Sequence, residues 1–187
     1  TLGLIETRCG QPERARFRCE QALGIFRDLE QPRGIGLACT ALAESLRRMT
    51  SISDLLTDEL SMKNLEAAEQ YAKEAVEIFT NSVEEPMRLA EAYIELGCIY
   101  REMARHTKSN ETFVVKLIME GKKAFDLSVR SAGTEFAYRG VDALVNLAWM
   151  YYYVGYFDDA QKVINNIKID ERYLFKKNYV PVIEDDL

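Results

Sequence analysis

Small residues recur along this 187-residue chain in pairs that a helical hairpin would bring face to face. In the clearest unit, residues 144–167, Leu144, Leu147, Ala148 and Tyr151 follow i, i+3, i+4, i+7 spacing, which places them on one face of a helix. Gly155 stands where a left-handed residue can close that helix, and Ala160, Ile164 and Ile167 mark a second one. Ala148 and Ala160 are twelve residues apart, and a small side chain at each lets the two helices cross closely. The same separation joins Gly3 to Ala15, in a stretch that continues through Cys19 to Ala22.

Two further copies have wider spacing. One runs Tyr93, Leu96-Gly97 and Tyr100, then Leu117, Gly121 and Ala124. The other runs Cys39, Leu42-Ala43 and Leu46, then Ala68, Ala72 and Ala75. Gly97 to Leu117 is twenty residues and Ala43 to Ala68 twenty-five, and the excess maps to insertions near 103–112 and 50–64. Repeat arrays tolerate insertions because each unit stacks only on its neighbours.

Leu144, Leu147-Ala148, Tyr151, Ala160 and Ile164 together resemble the tetratricopeptide (TPR) pattern W-x2-L-G-x2-Y…A-x3-F, with Leu144 at the tryptophan position. The resemblance covers residues 1–169. It implies an all-α fold, a right-handed superhelical stack of antiparallel helix pairs (a TPR-like α-solenoid). About four pairs are expected, the first of them truncated, so the chain reads as a fragment of a larger protein. A capping helix near 171–177 and an acidic tail at Glu184-Asp185-Asp186 complete residues 170–187. The family's proline after the second helix is absent; Pro86 instead precedes a first helix.

The long step between units is similar to the longer-helix variety found in sensor regions of bacterial signalling NTPases and transcription regulators. That similarity implies a cytoplasmic scaffold or sensor that binds a protein or peptide in its concave face. The alternative is a structural role, self-association into a homodimer through exposed array ends. Helices are expected near 1–9, 12–30, 34–50, 63–81, 85–106, 113–132, 135–154 and 157–168.

Charge and composition narrow the functions. A net charge of −6 and a pI near 5.0 repel phosphate backbones, so no nucleic-acid partner is expected. No apolar run is long enough for a membrane span. Cys9, Cys19, Cys39 and Cys98 include no CxxC pair, and His106 is the single histidine, so no metal is expected. Arg33-Gly34-Ile35-Gly36 lacks the spacing of a phosphate-binding loop. No nucleophile stands near His106 in sequence. The chain is therefore read as a non-enzyme with no cofactor.

Two groups are candidates for partner binding. Val145, Trp149, Tyr152 and Tyr156 form a second stripe on the helix that carries Tyr151, flanked by Asn146 and Tyr153. Aromatic and amide groups of this kind can stack on and hydrogen-bond an extended peptide. The competing reading buries the stripe against residues 171–183, which include Tyr173, Leu174 and Phe175. Arg47, Arg48 and Arg101 occupy matching places on two first helices, and guanidinium forks suit carboxylate or phosphate partners. The competing reading is a solvated face of ordinary ion pairs. Thr40 and Glu44 stand where the family's chaperone-tail clamp needs lysine and asparagine, so that kind of binding is not expected.

Overall fold

The computed structural model describes residues 2–52, 57–107 and 110–167. Over these residues it is all helical: α1 (Leu2–Arg8), α2 (Pro12–Asp28), α3 (Pro32–Ile52), α4 (Asp58–Asn81), α5 (Pro86–His106), α6 (Glu111–Ala132), α7 (Ala137–Tyr153) and α8 (Phe157–Asn166). The expected capping helix and acidic tail lie outside the described residues.

Local chemistry sets the ends of these helices. Pro12, Pro32 and Pro86 each open one, where a missing N–H leaves nothing unsatisfied. Thr57 caps α4 by accepting from the Leu60 N–H at 3.2 Å, and Asn110 caps α6 by accepting from the Phe113 N–H at 3.0 Å. Gly155, at φ 83°, ends α7 as the sequence predicts. Its N–H bonds to the Tyr152 carbonyl, and the Tyr156 N–H reaches back to Tyr151, which is the Schellman pattern. Gly10 closes α1 and Glu30 closes α2 with the same pair of bonds, and Glu30 does so as a non-glycine at φ 49°.

The expected insertions are mostly helix. α3 runs on through Ile52 and α4 begins at Asp58; α5 ends at His106 and α6 begins at Glu111. The wide spacings therefore come from longer helices rather than from long loops.

Each helix packs on the next along the chain. In addition α1 packs on α3, α3 on α5 and α5 on α7, while α2 and α4 are bridged by a side-chain ion pair, Arg27 Nη2 donating to Glu74 Oε1 at 2.7 Å and Oε2 at 2.9 Å. The odd-numbered helices thus form one closely packed layer, with the even-numbered helices on the other side of it.

The small residues lie where this packing is tightest. Gly3, Ala15, Ala43, Ala68, Gly97, Gly121, Ala148 and Ala160 are all buried. A methyl group added at Gly97 would stand 2.5 Å from the Phe125 ring of α6. One added at Gly121 would meet Met150 of α7 at 2.7 Å and Tyr100 of α5 at 3.3 Å. One apolar cluster runs from Cys19 of α2 to Ala124 of α6, and a second joins Cys98, Phe125, Ala143, Leu147 and Met150. Val114 and Val154 pack against both, so the core is elongated along the series of hairpins.

Candidate functional site

The layer of odd-numbered helices carries an open groove of about 510 Å³. Its walls come from α3, α5 and α7, with Phe79 of α4 at one edge. Arg47, Arg48 and Arg101 all line it, and so does Asn146. Four of the eight sequence candidates therefore meet in one place, drawn from three different helices.

The floor is a set of polar cross-links. Arg47 of α3 makes a two-pronged bond to Glu95 of α5, Nε to Oε1 at 2.6 Å and Nη2 to Oε2 at 3.0 Å. Both groups are nearly enclosed. Burial disfavours the charged form of Arg47, but the carboxylate of Glu95 outweighs it and holds the pKa above its ordinary value. A buried pair of this kind adds little net stability, yet removing one partner alone costs about 3–5 kcal/mol. It fixes the register of α3 against α5.

A second link joins α5 to α7. Arg101 Nη1 donates to Asn146 Oδ1 at 2.6 Å, and the same oxygen accepts from the Cys98 thiol at 3.3 Å. The Asn146 Nδ2 group donates to the Asp142 carbonyl at 2.8 Å. Burial pushes the Cys98 thiol above its usual pKa, which keeps it a neutral donor. Further along, Arg139 of α7 bonds Glu91 of α5 and reaches Asp142 at 3.1 Å, while Arg88 bonds Glu91 at 2.6 Å.

Arg88, Glu91, Arg139 and Asp142 were not among the sequence candidates. They lie one to four turns nearer the N-termini of α5 and α7 than Arg101 and Asn146. The available signal was their i, i+3 spacing, Arg88 to Glu91 and Arg139 to Asp142, ahead of each repeat motif.

Val145, Trp149, Tyr152 and Tyr153 do not line the groove. Trp149 and Tyr153 continue the stripe Arg139, Asp142, Asn146 at i, i+3, i+4 steps, but the groove ends at Asn146. Beyond it Trp149 stacks on Tyr153 at 5.6 Å and meets Tyr152 edge-on at 5.6 Å, and Tyr152 meets Phe157 at 5.4 Å. Tyr152, Tyr153 and Phe157 are exposed. The aromatic stripe is therefore a separate patch at the α7–α8 end. Residues 171–183, its cover on the competing reading, lie outside the described residues.

His106 sits at the C-terminal end of α5 with Nδ1 3.3 Å from Asp58 Oδ1, remote from the groove lining. Among the described residues no group of three or more His, Cys, Asp or Glu is placed to hold a metal ion, and no helix is long and apolar enough to cross a membrane. No family model matches the chain, and no curated protein matches it.

Proposed function

We propose that this chain is a TPR-like α-solenoid, a right-handed stack of helical hairpins, that serves as a protein- or peptide-binding module of a larger signalling or regulatory protein in the cytoplasm. It recognises a partner and catalyses nothing. The observation that carries this reading is the groove on α3, α5 and α7, which gathers side chains from three successive hairpins on one surface. The close approach of each odd-numbered helix to the next odd-numbered one supports the solenoid. On this reading the odd helices are the inner wall, the surface on which such arrays hold their ligands.

The binding mode follows from the lining. Leu37, Ala41, Ile94 and Phe79 supply apolar contact, and the guanidinium and amide groups supply direction. A ligand spanning the groove touches three hairpins at once. It therefore has different affinities for arrays of different curvature, which is the physical requirement for passing a signal to a neighbouring domain.

The test is an array of short peptides of varied composition, probed with the whole chain and with Ser51→Trp. Ser51 is exposed on the groove edge, so an indole there obstructs the groove without removing a charge or a core contact. The reading expects a subset of peptides to bind the unaltered chain and to be lost by Ser51→Trp. Binding that Ser51→Trp leaves intact, or no binding to any peptide, removes the groove as the site.

A further inference from the structure

We infer that the groove selects an acidic peptide segment, and that the arginines read its side-chain carboxylates; this rests on the peptide-binding reading above. The sum of charges does not show this, because the groove lining holds almost as many carboxylates as guanidiniums. The depth of each group does.

In four ion pairs made by the groove's arginines the carboxylate is the less exposed partner. Arg48 is 37% exposed and its partner Glu44 13%. Arg88 is 31% exposed and Arg139 27%, and the Glu91 they share 20%. Arg101 is 13% exposed above Glu102 at 4%. Arg139 and Asp142 stand level, and Arg47 and Glu95 are almost so. Glu44 and Glu91 hold guanidiniums more exposed than themselves, so Arg48, Arg88 and Arg139 are the arginines a ligand meets first. A guanidinium has five N–H donors, and a single carboxylate leaves part of the fork open to a second acceptor. The Nε–H groups of Arg88 and Arg139 have no acceptor among the described residues. Both nitrogens are buried, so each side chain has to turn outward before an added carboxylate can satisfy this donor.

Spacing favours a peptide over a small anion. Arg48 lies on α3, Arg88 and Arg101 on α5, and Arg139 on α7. Neighbouring helices stand about 8–10 Å apart, so the layer is roughly 16–20 Å across. An extended chain rising about 3.3 Å per residue covers that distance in about five or six residues. One small carboxylate reaches one or two of these arginines; a peptide with acidic residues spread along it reaches one on each of the three helices, Arg88 and Arg101 being roughly 20 Å apart along α5.

The experiment uses an octapeptide blocked at both ends, with glutamate at three spaced positions among glycine and serine, and its glutamine and lysine counterparts. Binding to the whole chain is followed by fluorescence anisotropy at low and at raised salt. The glutamate peptide is expected to bind at least about tenfold more tightly than the glutamine peptide, with affinity falling as salt rises. Arg48→Gln and Arg88→Gln are each expected to lose about tenfold of that affinity. Their thermal melts confirm folding, and Arg48, with its single i,i+4 partner, is the safer of the two. Equal binding of the glutamate and glutamine peptides, or tighter binding of the lysine peptide, overturns the inference. If the acidic peptide fails while array peptides still bind in a way that Ser51→Trp abolishes, this inference falls and the peptide-binding reading stands. If no peptide binds at all, both fall.

Discussion

Replacing Gly97 by alanine adds one methyl group at the α5–α6 crossing, and the structure gives its consequence. The new carbon would lie 2.5 Å from Cε1 of Phe125 and 2.7 Å from Cδ1 and Cζ. Ordinary contact needs the ring to retreat by roughly 1 Å, and overpacking of that kind costs about 2–3 kcal/mol. The ring has little room, since Phe125 is fully buried among Ala143, Leu147 and Met150. Alanine's better helix propensity returns about 1 kcal/mol, so Gly97→Ala should lose about 1–2 kcal/mol. Gly24 is the control. It lies inside α2, is exposed, and a methyl group added there would meet no atom within 4 Å. Gly24→Ala should gain about 0.5–1 kcal/mol from propensity alone. Thermal and urea melts of the three proteins read the contrast, with Tm moving about 2–4 °C per kcal/mol at this size. If both substitutions stabilise to the same extent, the close approach of α5 and α6 at Gly97 is wrong.

Two further outcomes are expected. Glu30 closes α2 at φ 49°, a conformation that costs a side-chain-bearing residue about 1 kcal/mol, so Glu30→Gly should stabilise by about 0.5–1 kcal/mol in a urea melt; a loss of stability would contradict the left-handed assignment. Burial and the nearby Glu74 push the Cys39 thiol from its ordinary value of 9.0 up to about 12. A raised folded pKa gives stability that is whole below pH 9 and drains between pH 9 and 12, and at pH 10.5 the loss from this one group is about 2 kcal/mol. The difference between the unaltered chain and Cys39→Ala isolates it, because Cys19, Cys98 and Tyr100 are also raised by burial and decline in both proteins. Parallel stability curves from pH 8 to 10.5 would refute the assignment.

The helices were legible where the sequence carries their end chemistry. Pro12, Pro86 and Gly155 sit at the ends they mark, and the small residues from Gly3 to Ala160 sit in the core. The start of α4 lies ahead of the expected residue 63 because Thr57-Asp58-Glu59, a capping hydroxyl followed by two first-turn carboxylates, falls inside the stretch 50–64 read as an insertion. Pro32 likewise opens α3 two residues ahead of the expected start. The groove was half legible. Arg47, Arg48, Arg101 and Asn146 lie at or beside repeat positions, so finding the repeat finds them. Glu91 and Arg139 needed knowledge of which helices are neighbours, because their link joins α5 to α7, and Arg88 joins it through Glu91 on its own helix. Periodicity gives Val145, Trp149, Tyr152 and Tyr156 as one stripe of α7 flanked by Asn146 and Tyr153, but it cannot say where along the helix α5 ceases to face it, and of these six only Asn146 lines the groove.

The account depends on α3 and α5 lying side by side, so that their facing side chains make the floor of the groove. A double-mutant cycle on Arg47 and Glu95, using Arg47→Met and Glu95→Gln, measures this directly by urea unfolding. Each single substitution strands a buried charge and should cost about 3–5 kcal/mol. The pair together should cost less than the sum by about 2–3 kcal/mol, the coupling of groups in direct contact. Costs that add to within about 0.5 kcal/mol would mean that the two residues do not touch and that the groove is not built as described.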